Sequence, residues 1–372
     1  MHVAQINYFT DPQARPPEHI LRDWPTLVDV AEAASCAGVR VSVLQASRHS
    51  QRLTRNGVNY HFLPFGRGAS TDLRNDFLGE LLHELDPAVL HVQGLGFARD
   101  VLSLAAFAPH LPIVLQDHAN RPPRLWRRSL WRRGLSAASG IAFCSRRQAQ
   151  PFQTARLLHP RTRVYEIPES TSRFVPGNRE EARLAVGLTG DPLILWVGHL
   201  DANKDPLTAL EGISKAVRAL PQLRLCVCFA TAPLLRAVQD RISVDPNLRG
   251  RVHLLGRVPH EQVEQLMRAA DLFVLASHRE GSGYSLIEAL ACGLCPVVTD
   301  IPSFRSLTGE GAVGALWPCD EPDKLCTALL SLAEQPRQET RAAVRAHFDA
   351  ELSFAALGRK LHAMYQDCSR PA

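Results

Sequence analysis

The apolar run Asp271-Leu-Phe-Val-Leu-Ala276, followed by Glu280-Gly-Ser-Gly-Tyr-Ser-Leu-Ile-Glu-Ala-Leu-Ala-Cys-Gly293, admits few folds. The run has the length and uniform apolarity of a buried parallel strand. Gly281 and Gly283 allow a tight turn and let a ligand come close to the backbone. Residues 285–291 are helix formers, and Gly293 supplies a stop. A strand, a glycine turn and a helix N-terminus together make an anion site, because the first amides of a helix have no partner within it. Glu280 stands at the entrance of the turn, and Glu288 lies about one turn into the helix. Each carboxylate also has a structural alternative. Glu288 has the Ser-x-x-Glu spacing of a capping box with Ser285, and Glu280 reads equally as a solvated loop residue.

Composition bounds the rest. The chain has 372 residues, 45% of them apolar and 21% charged, which describes a soluble globular protein with room for two domains. A net charge of +5 suits anionic ligands or an anionic membrane surface and does not point to nucleic acid. No apolar run approaches the roughly 18–20 residues that span a bilayer. The N-terminus lacks a cationic region ahead of an apolar segment, so the expected location is the cytoplasm. Nine cysteines are scattered through apolar contexts. The pair Cys292-Gly-Leu-Cys295 has redox or half-zinc-site spacing without a second pair nearby, and reads as packing.

Along the first half, strands are expected at 3–8, 39–44, 60–64, 86–93, 112–118 and 140–145. Helices are expected at 25–36 and 77–85, and a Pro-rich loop at 9–22. Strands separated by helices imply a parallel sheet covered on both faces. Ligands of such sheets bind at the carboxyl ends of the strands, which singles out His91, Gly94, Gly96, Asp117 and His118. The segment 121–133 holds six arginines with Trp126 and Trp131. It is either a basic amphipathic helix for anionic lipid or a surface helix with its tryptophans on the sheet. After a connection rich in Pro, Gly and small polar residues, the rhythm restarts with strands at 192–198, 223–230, 251–256, 271–276 and 295–299. Asp205 is a good N-cap with Pro206 at the first helical position. Helices follow at 260–270 and 341–365. The implied domains are 1–168, a linker at 169–190, a second domain at 191–345 and a terminal helix in 346–372.

The spacing Glu-x7-Glu after a hydrophobic strand, continued by Glu288-Ala-Leu-Ala-Cys-Gly-Leu-Cys-Pro-Val-Val298, resembles the retaining nucleotide-sugar glycosyltransferases of family 4. The segment Gly198 to Lys204 resembles that family's phosphate-binding element. The likeness runs along nearly the whole chain, with its specific residues at 192–205 and 271–298. It implies an α/β protein of two Rossmann-like domains (GT-B) facing across a cleft, with the C-terminal helix crossing back to the first domain.

The resemblance also implies roles. Glu280, His118 and Lys204 become the catalytic residues: Glu280 faces the donor sugar, His118 holds it from the first domain, and Lys204 neutralises the donor diphosphate. Donor binding falls on Gly198, His199, Lys204, Gly281, Ser282, Gly283, Tyr284, Ser285 and Glu288, the last at the ribose hydroxyls. No metal or other cofactor is expected, because a cation and helix amides can balance the leaving diphosphate. The partners are a nucleotide-sugar donor, an unidentified acceptor and, through 121–133, an anionic membrane; nucleic acid is not among them. There are departures. His199 stands where the family has Arg, Ser282 where it has Phe, Ala88 and Gln93 break the pattern around His91, and Asp300-Ile-Pro-Ser replaces a Gly-Gly…Glu element. A catalytically silent sugar-nucleotide binder, or a phosphorylase or epimerase on the same fold, are the alternative readings.

Overall fold

The computed structural model describes residues 1–65 and 71–370, and the chain forms two compact units. The first unit comprises Met1–Thr171 and Phe354–Ala372, and the second comprises Ser172–Ser353.

In the first unit the order is β1 (His2–Asn7), α1 (Pro17–Asp23), α2 (Pro25–Cys36), β2 (Arg40–Ala46), β3 (Gln51–Arg55), β4 (Val58–Leu63), α3 (Thr71–Leu85), β5 (Val89–Gln93), α4 (Ala98–Phe107), β6 (Ile113–Gln116), α5 (Arg128–Ser136), β7 (Gly140–Phe143), α6 (Gln150–Thr154) and β8 (Arg163–Glu166). The sheet runs β3-β4-β2-β1-β5-β6-β7-β8 and is parallel except for the β3–β4 pair. Its strand sequence reverses direction between β1 and β5, so their carboxyl ends, at Asn7 and Gln93, flank the topological switch point.

The structure departs from the sequence reading here. Residues 9–22 do not remain a loop: Pro17 at the first helical position starts α1. The edge strand β3 and helix α4 had no reading; Gln51–Arg55 carries a single large apolar residue, Leu53, among polar ones. Ser42, between Val41 and Val43 in β2, is fully buried and bonds to His2 Nε2 at 3.0 Å. Helices cover both faces of this sheet.

The second unit contains α7 (Arg179–Val186), β9 (Leu193–Val197), α8 (Pro206–Val217), β10 (Arg224–Cys228), α9 (Leu235–Val244), β11 (Val252–Gly256), α10 (His260–Ala269), β12 (Leu272–Leu275), α11 (Tyr284–Ala291), β13 (Cys295–Thr299), α12 (Pro302–Leu307), β14 (Ala315–Trp317), α13 (Pro322–Ala333) and α14 (Arg337–Glu351). All its strands are parallel, in the order β11-β10-β9-β12-β13-β14. The switch point lies between β9 and β12. Asp271 anchors the sheet floor, accepting from the Leu193 amide at 2.7 Å and pairing with Arg179 and Arg183, each at 2.7 Å.

The stretch 341–365 is two helices rather than one. The Leu352 amide makes the last helical bond, to the Phe348 carbonyl at 2.9 Å, Ser353 bonds back to the same carbonyl, and α15 (Phe354–Ser369) belongs to the first unit. There Leu357, Leu361, Met364 and Tyr365 join the core beneath α2. Gly358 makes this contact possible: a Cβ on it would stand 2.2 Å from the Ala33 carbonyl oxygen. Of the expected connection at 169–190, residues 169–172 are buried and α7 packs on α10. Residues 371–372, the end of the expected terminal segment, lie outside the described residues. Among the described residues no helix is long and apolar enough to cross a membrane.

Candidate active site

In the second unit the loops after β9 and β12 are tied to each other. The His278 amide donates to the Asn203 carbonyl at 2.8 Å, and Asn203 Nδ2 donates to the Arg279 carbonyl at 2.9 Å. This brings Lys204 to Glu280, and the two form a largely buried ion pair at the switch point. Asp205 caps α8 by accepting from the Thr208 amide at 3.2 Å, with Pro206 next, as its sequence demands. Gly198 ends β9. His199 is exposed, and its Nδ1 accepts the Thr231 amide at 3.3 Å, which leaves Nε2 as the proton-bearing nitrogen of the neutral ring.

Gly281 and Ser282 form the turn, and Gly283 starts α11 with φ +59°. A Cβ there would also lie 2.9 Å from Leu307 Cδ1, so glycine is required twice over. No side chain caps this helix, which means Ser285 and Glu288 do not make a capping box. Tyr284 and Ser285 are its first two residues and are half-buried. Glu288 points inward instead: it is buried and bonded to His260 Nε2 at the start of α10. Burial pushes the Glu288 carboxyl above its ordinary value, and the hydrogen bond to Glu288 raises His260. The His260 ring stacks at 4.6 Å on Phe174.

In the first unit a cavity of about 530 Å³ opens at the other switch point, lined by Asn7 and Gln93 from the ends of β1 and β5. His118 lines it too. Its Nδ1 bonds to the buried carboxylate of Glu169 and its Nε2 lies 2.8 Å from Gln93 Oε1. The Glu169 carboxylate is an acceptor, so His118 Nδ1 carries a proton and donates it there. Burial lowers the His118 pKa, but the hydrogen bond and charge of Glu169 outweigh it, and the net shift is upward. Beneath it, burial pushes the Asp117 carboxyl up to about 7, against the pull of the Asn120 amide, which donates to it at 3.0 Å. His91 is a core residue: it is fully buried, its pKa falls to about 3 through burial, and its Nδ1 meets the Tyr365 hydroxyl at 2.8 Å. Gly94 and Gly96 border the cavity.

Residues 178–347 match the family model for glycosyl transferases group 1. That match spans most of the second unit, which is a group 1 glycosyltransferase domain. Two relatives are GDP-mannose:cellobiosyl-diphosphopolyprenol alpha-mannosyltransferases, from Xanthomonas campestris and Xanthomonas oryzae pv. oryzae, at 27% and 25% identity. The first alignment covers 66% of this chain and 65% of the relative's length; the second covers 80% and 84%. Among solved structures, Anabaena Alr3699/HepE, in complex with UDP and glucose, superimposes with a TM-score of 0.67 at 15% identity, covering 99% of this chain and all of that one. At that identity the likeness is one of fold, the GT-B type with two Rossmann-like domains.

The sequence-selected groups lie in two places. Gly198, His199, Lys204 and residues 280–285 surround the second unit's switch point, while His118 belongs to the first unit. Glu169 had no assigned role in the sequence, nor did Phe9, Trp24 or Asn120 beside His118. For Glu169 a signal existed: it lies three residues past β8, at the carboxyl end of a strand. The described residues also bring Asp205, His278 and Asp320 together with ligand atoms within 4.8 Å of one another. His278 already meets Asp205 at 3.2 Å, as an ordinary surface ion pair does. In the segment 121–133 the tryptophans go opposite ways: Trp131 is 8% exposed on α5, whereas Leu125 and Trp126 are 75% and 72% exposed.

Proposed function

We propose that the protein transfers a sugar from a nucleoside-diphosphate sugar to an acceptor hydroxyl with retention of anomeric configuration and without a divalent metal. In that reaction the bond from the anomeric carbon to the diphosphate breaks, a bond to the acceptor oxygen forms, and the acceptor's proton leaves with the diphosphate. The single observation that carries this reading is the meeting of Lys204 and Glu280 at the β9/β12 switch point, beside the uncapped start of α11.

The chemistry follows from charge. Departure of the diphosphate builds negative charge on its β-phosphate, and Lys204 with the amides of Gly283 to Ser285 would stabilise it without reorganisation. Once Lys204 turns to phosphate, Glu280 is left beside the sugar, where a carboxylate stabilises a cationic anomeric carbon. Glu288 would exchange His260 for the ribose hydroxyls. His118, in the first unit's cavity, is proposed as a sugar-contacting residue. The mannosyltransferase relatives carry GDP-mannose in their names, and the Anabaena structure holds UDP, so both bases belong in the first donor screen. The relatives' acceptor is lipid-linked by name, and exposed Leu125 and Trp126 among arginines support a peripheral contact with anionic lipid.

His199 favours a second reading, a sugar-nucleotide binder without turnover, because an imidazole lacks the bidentate fork of the guanidinium it replaces. A thermal-shift and turnover screen of GDP-, UDP- and ADP-sugars, with and without EDTA, decides. Stabilisation that survives EDTA, with turnover to an α-linked product from an α-linked donor, supports the transferase. Binding without turnover selects the silent alternative, and no response to any nucleotide sugar removes both.

A further inference from the structure

The carboxylate assigned to the ribose is covered by a second residue. The Glu288 side chain is 3% exposed, while that of His260, bonded to it through Nε2, is 61% exposed, so the ring is the solvent-side member of the pair. His260 opens α10, and Glu288 lies within α11, 28 residues further along the chain. The ring has another support: Phe174, itself buried, stacks on it with centroids 4.6 Å and planes 37° apart. Stacked on one side and bonded at Nε2, the imidazole occupies a lone-pair position of the carboxylate. All three residues belong to the second unit.

The charges around the ring favour its proton. Glu288 faces it from α11, and Glu261 and Glu264 lie on its own helix. Glu264 is partly answered, accepting from Arg268 at 2.6 Å and from the Val175 amide at 2.9 Å. The cations of α7, which packs on α10, are turned elsewhere: Arg179 and Arg183 each pair with Asp271 at 2.7 Å. Strand β9, also packed on α10, has no ionisable side chain. The hydrogen bond to Glu288 is the largest influence on His260 and raises it, against the opposing effect of burial. Burial pushes Glu288 toward its protonated form, and His260 opposes that. In the empty site the imidazole thus offsets a buried carboxylate that would otherwise stand uncompensated.

Ribose hydroxyls are neutral donors that need the same carboxylate oxygens. They displace a neutral imidazole, which holds by a hydrogen bond alone, more readily than an imidazolium, which holds by charge as well. A ring that has lost its carboxylate also binds its proton less tightly. We propose that His260 is a positioning residue for Glu288: it keeps the carboxylate ionised and oriented in the empty site, and the donor's ribose replaces it there with release of the His260 proton to solvent. This rests on the transferase reading above and adds to it a proton-linked step in donor binding.

The test is isothermal titration of the full chain with GDP-mannose and with UDP-glucose, in buffers of different ionisation enthalpy. A nucleotide sugar has no group of its own that titrates near neutrality, because its diphosphate is esterified at both ends, so the protons exchanged come from the protein. Binding should release protons, up to about one per donor in the window below the His260 pKa of the free protein and above that of the complex. As pH falls from about 8 to about 5.5 the dissociation constant should rise, approaching about tenfold per pH unit within that window. In turnover the same dependence should fall on the donor KM rather than on kcat. Followed by NMR, the His260 ring should titrate lower with donor bound than without. His260→Gln keeps a neutral N–H donor at an exposed helix start, and should bind with both the proton release and the pH slope removed. Proton uptake (the sign expected of His199 beside a diphosphate), an unchanged ring titration, or a pH slope that survives His260→Gln overturns the inference. Binding without proton exchange removes this step and leaves the transferase reading standing, whereas no binding of either probe at any pH removes both.

Discussion

Lys204 and Glu280 lie 76 residues apart and form an ion pair whose side chains are 16% and 13% exposed. The pair exists because two neighbouring parallel strands end there, and one backbone bond and one Asn203 side-chain bond lock their loops together. Removing one partner of so enclosed a pair leaves the other charge uncompensated. Lys204→Ala is therefore expected to lower turnover by about 100-fold or more, the scale seen when one preorganised charge-stabilising group is lost. Lys204→Ala and Glu280→Ala should also be non-additive in thermal stability, with a coupling of about 0.5–3 kcal/mol. Urea unfolding of both single variants and the double variant measures it, and strict additivity would contradict the pairing.

Glu169 should set the charge of His118. In the wild type the His118 pKa lies above its ordinary value despite burial. Glu169→Gln removes the carboxylate and keeps the burial, so the ring should titrate below the ordinary value of about 6.5. Because the folded pKa is raised, the stability this pair contributes is complete below the unfolded value and fades as pH rises through the folded one. NMR titration of the imidazole in both proteins reads the shift directly; identical curves would refute the assignment.

At Gly283 the helix start and the packing against Leu307 both forbid a side chain. Gly283→Ala should cost about 1–3 kcal/mol of stability through backbone strain, with the added methyl's crowding on top. Donor-induced thermal stabilisation should fall too, since the amides at the start of α11 would shift. Chemical denaturation with and without the nucleotide sugar tests both effects.

If Leu125 and Trp126 rest on lipid, the chain should co-sediment with vesicles containing phosphatidylglycerol and not with pure phosphatidylcholine. Arg124, whose guanidinium lies 5.3 Å over the Trp126 ring, and Arg127 are both exposed. Neutralising the two should weaken binding by about 1 kcal/mol per charge, and high salt should do the same. Replacing Leu125 and Trp126 by Ser should weaken it irrespective of salt.

The local chemistry of this protein was legible in its sequence wherever a residue's role depends on its own neighbours in the chain. Asp205 with Pro206 had to cap a helix, 281–283 had to turn, and the run 272–275 had to be a buried strand. Alternating strands and helices already required parallel sheets, because parallel strands need a crossover between them. Phe9 and Trp24 were invisible as lining of the His118 cavity, since α1 had first to bring them together. Glu288 read as a capping-box partner of Ser285 or a ribose ligand until α10 delivered His260 to it. Glu169 met His118 only because β6 and β8, separated by 51 positions at those residues, end on the same edge of one sheet. Short-range spacing fixes which residues can cap, turn or bury. Which carboxylate faces which base is set by strand order, and strand order is a property of the folded sheet.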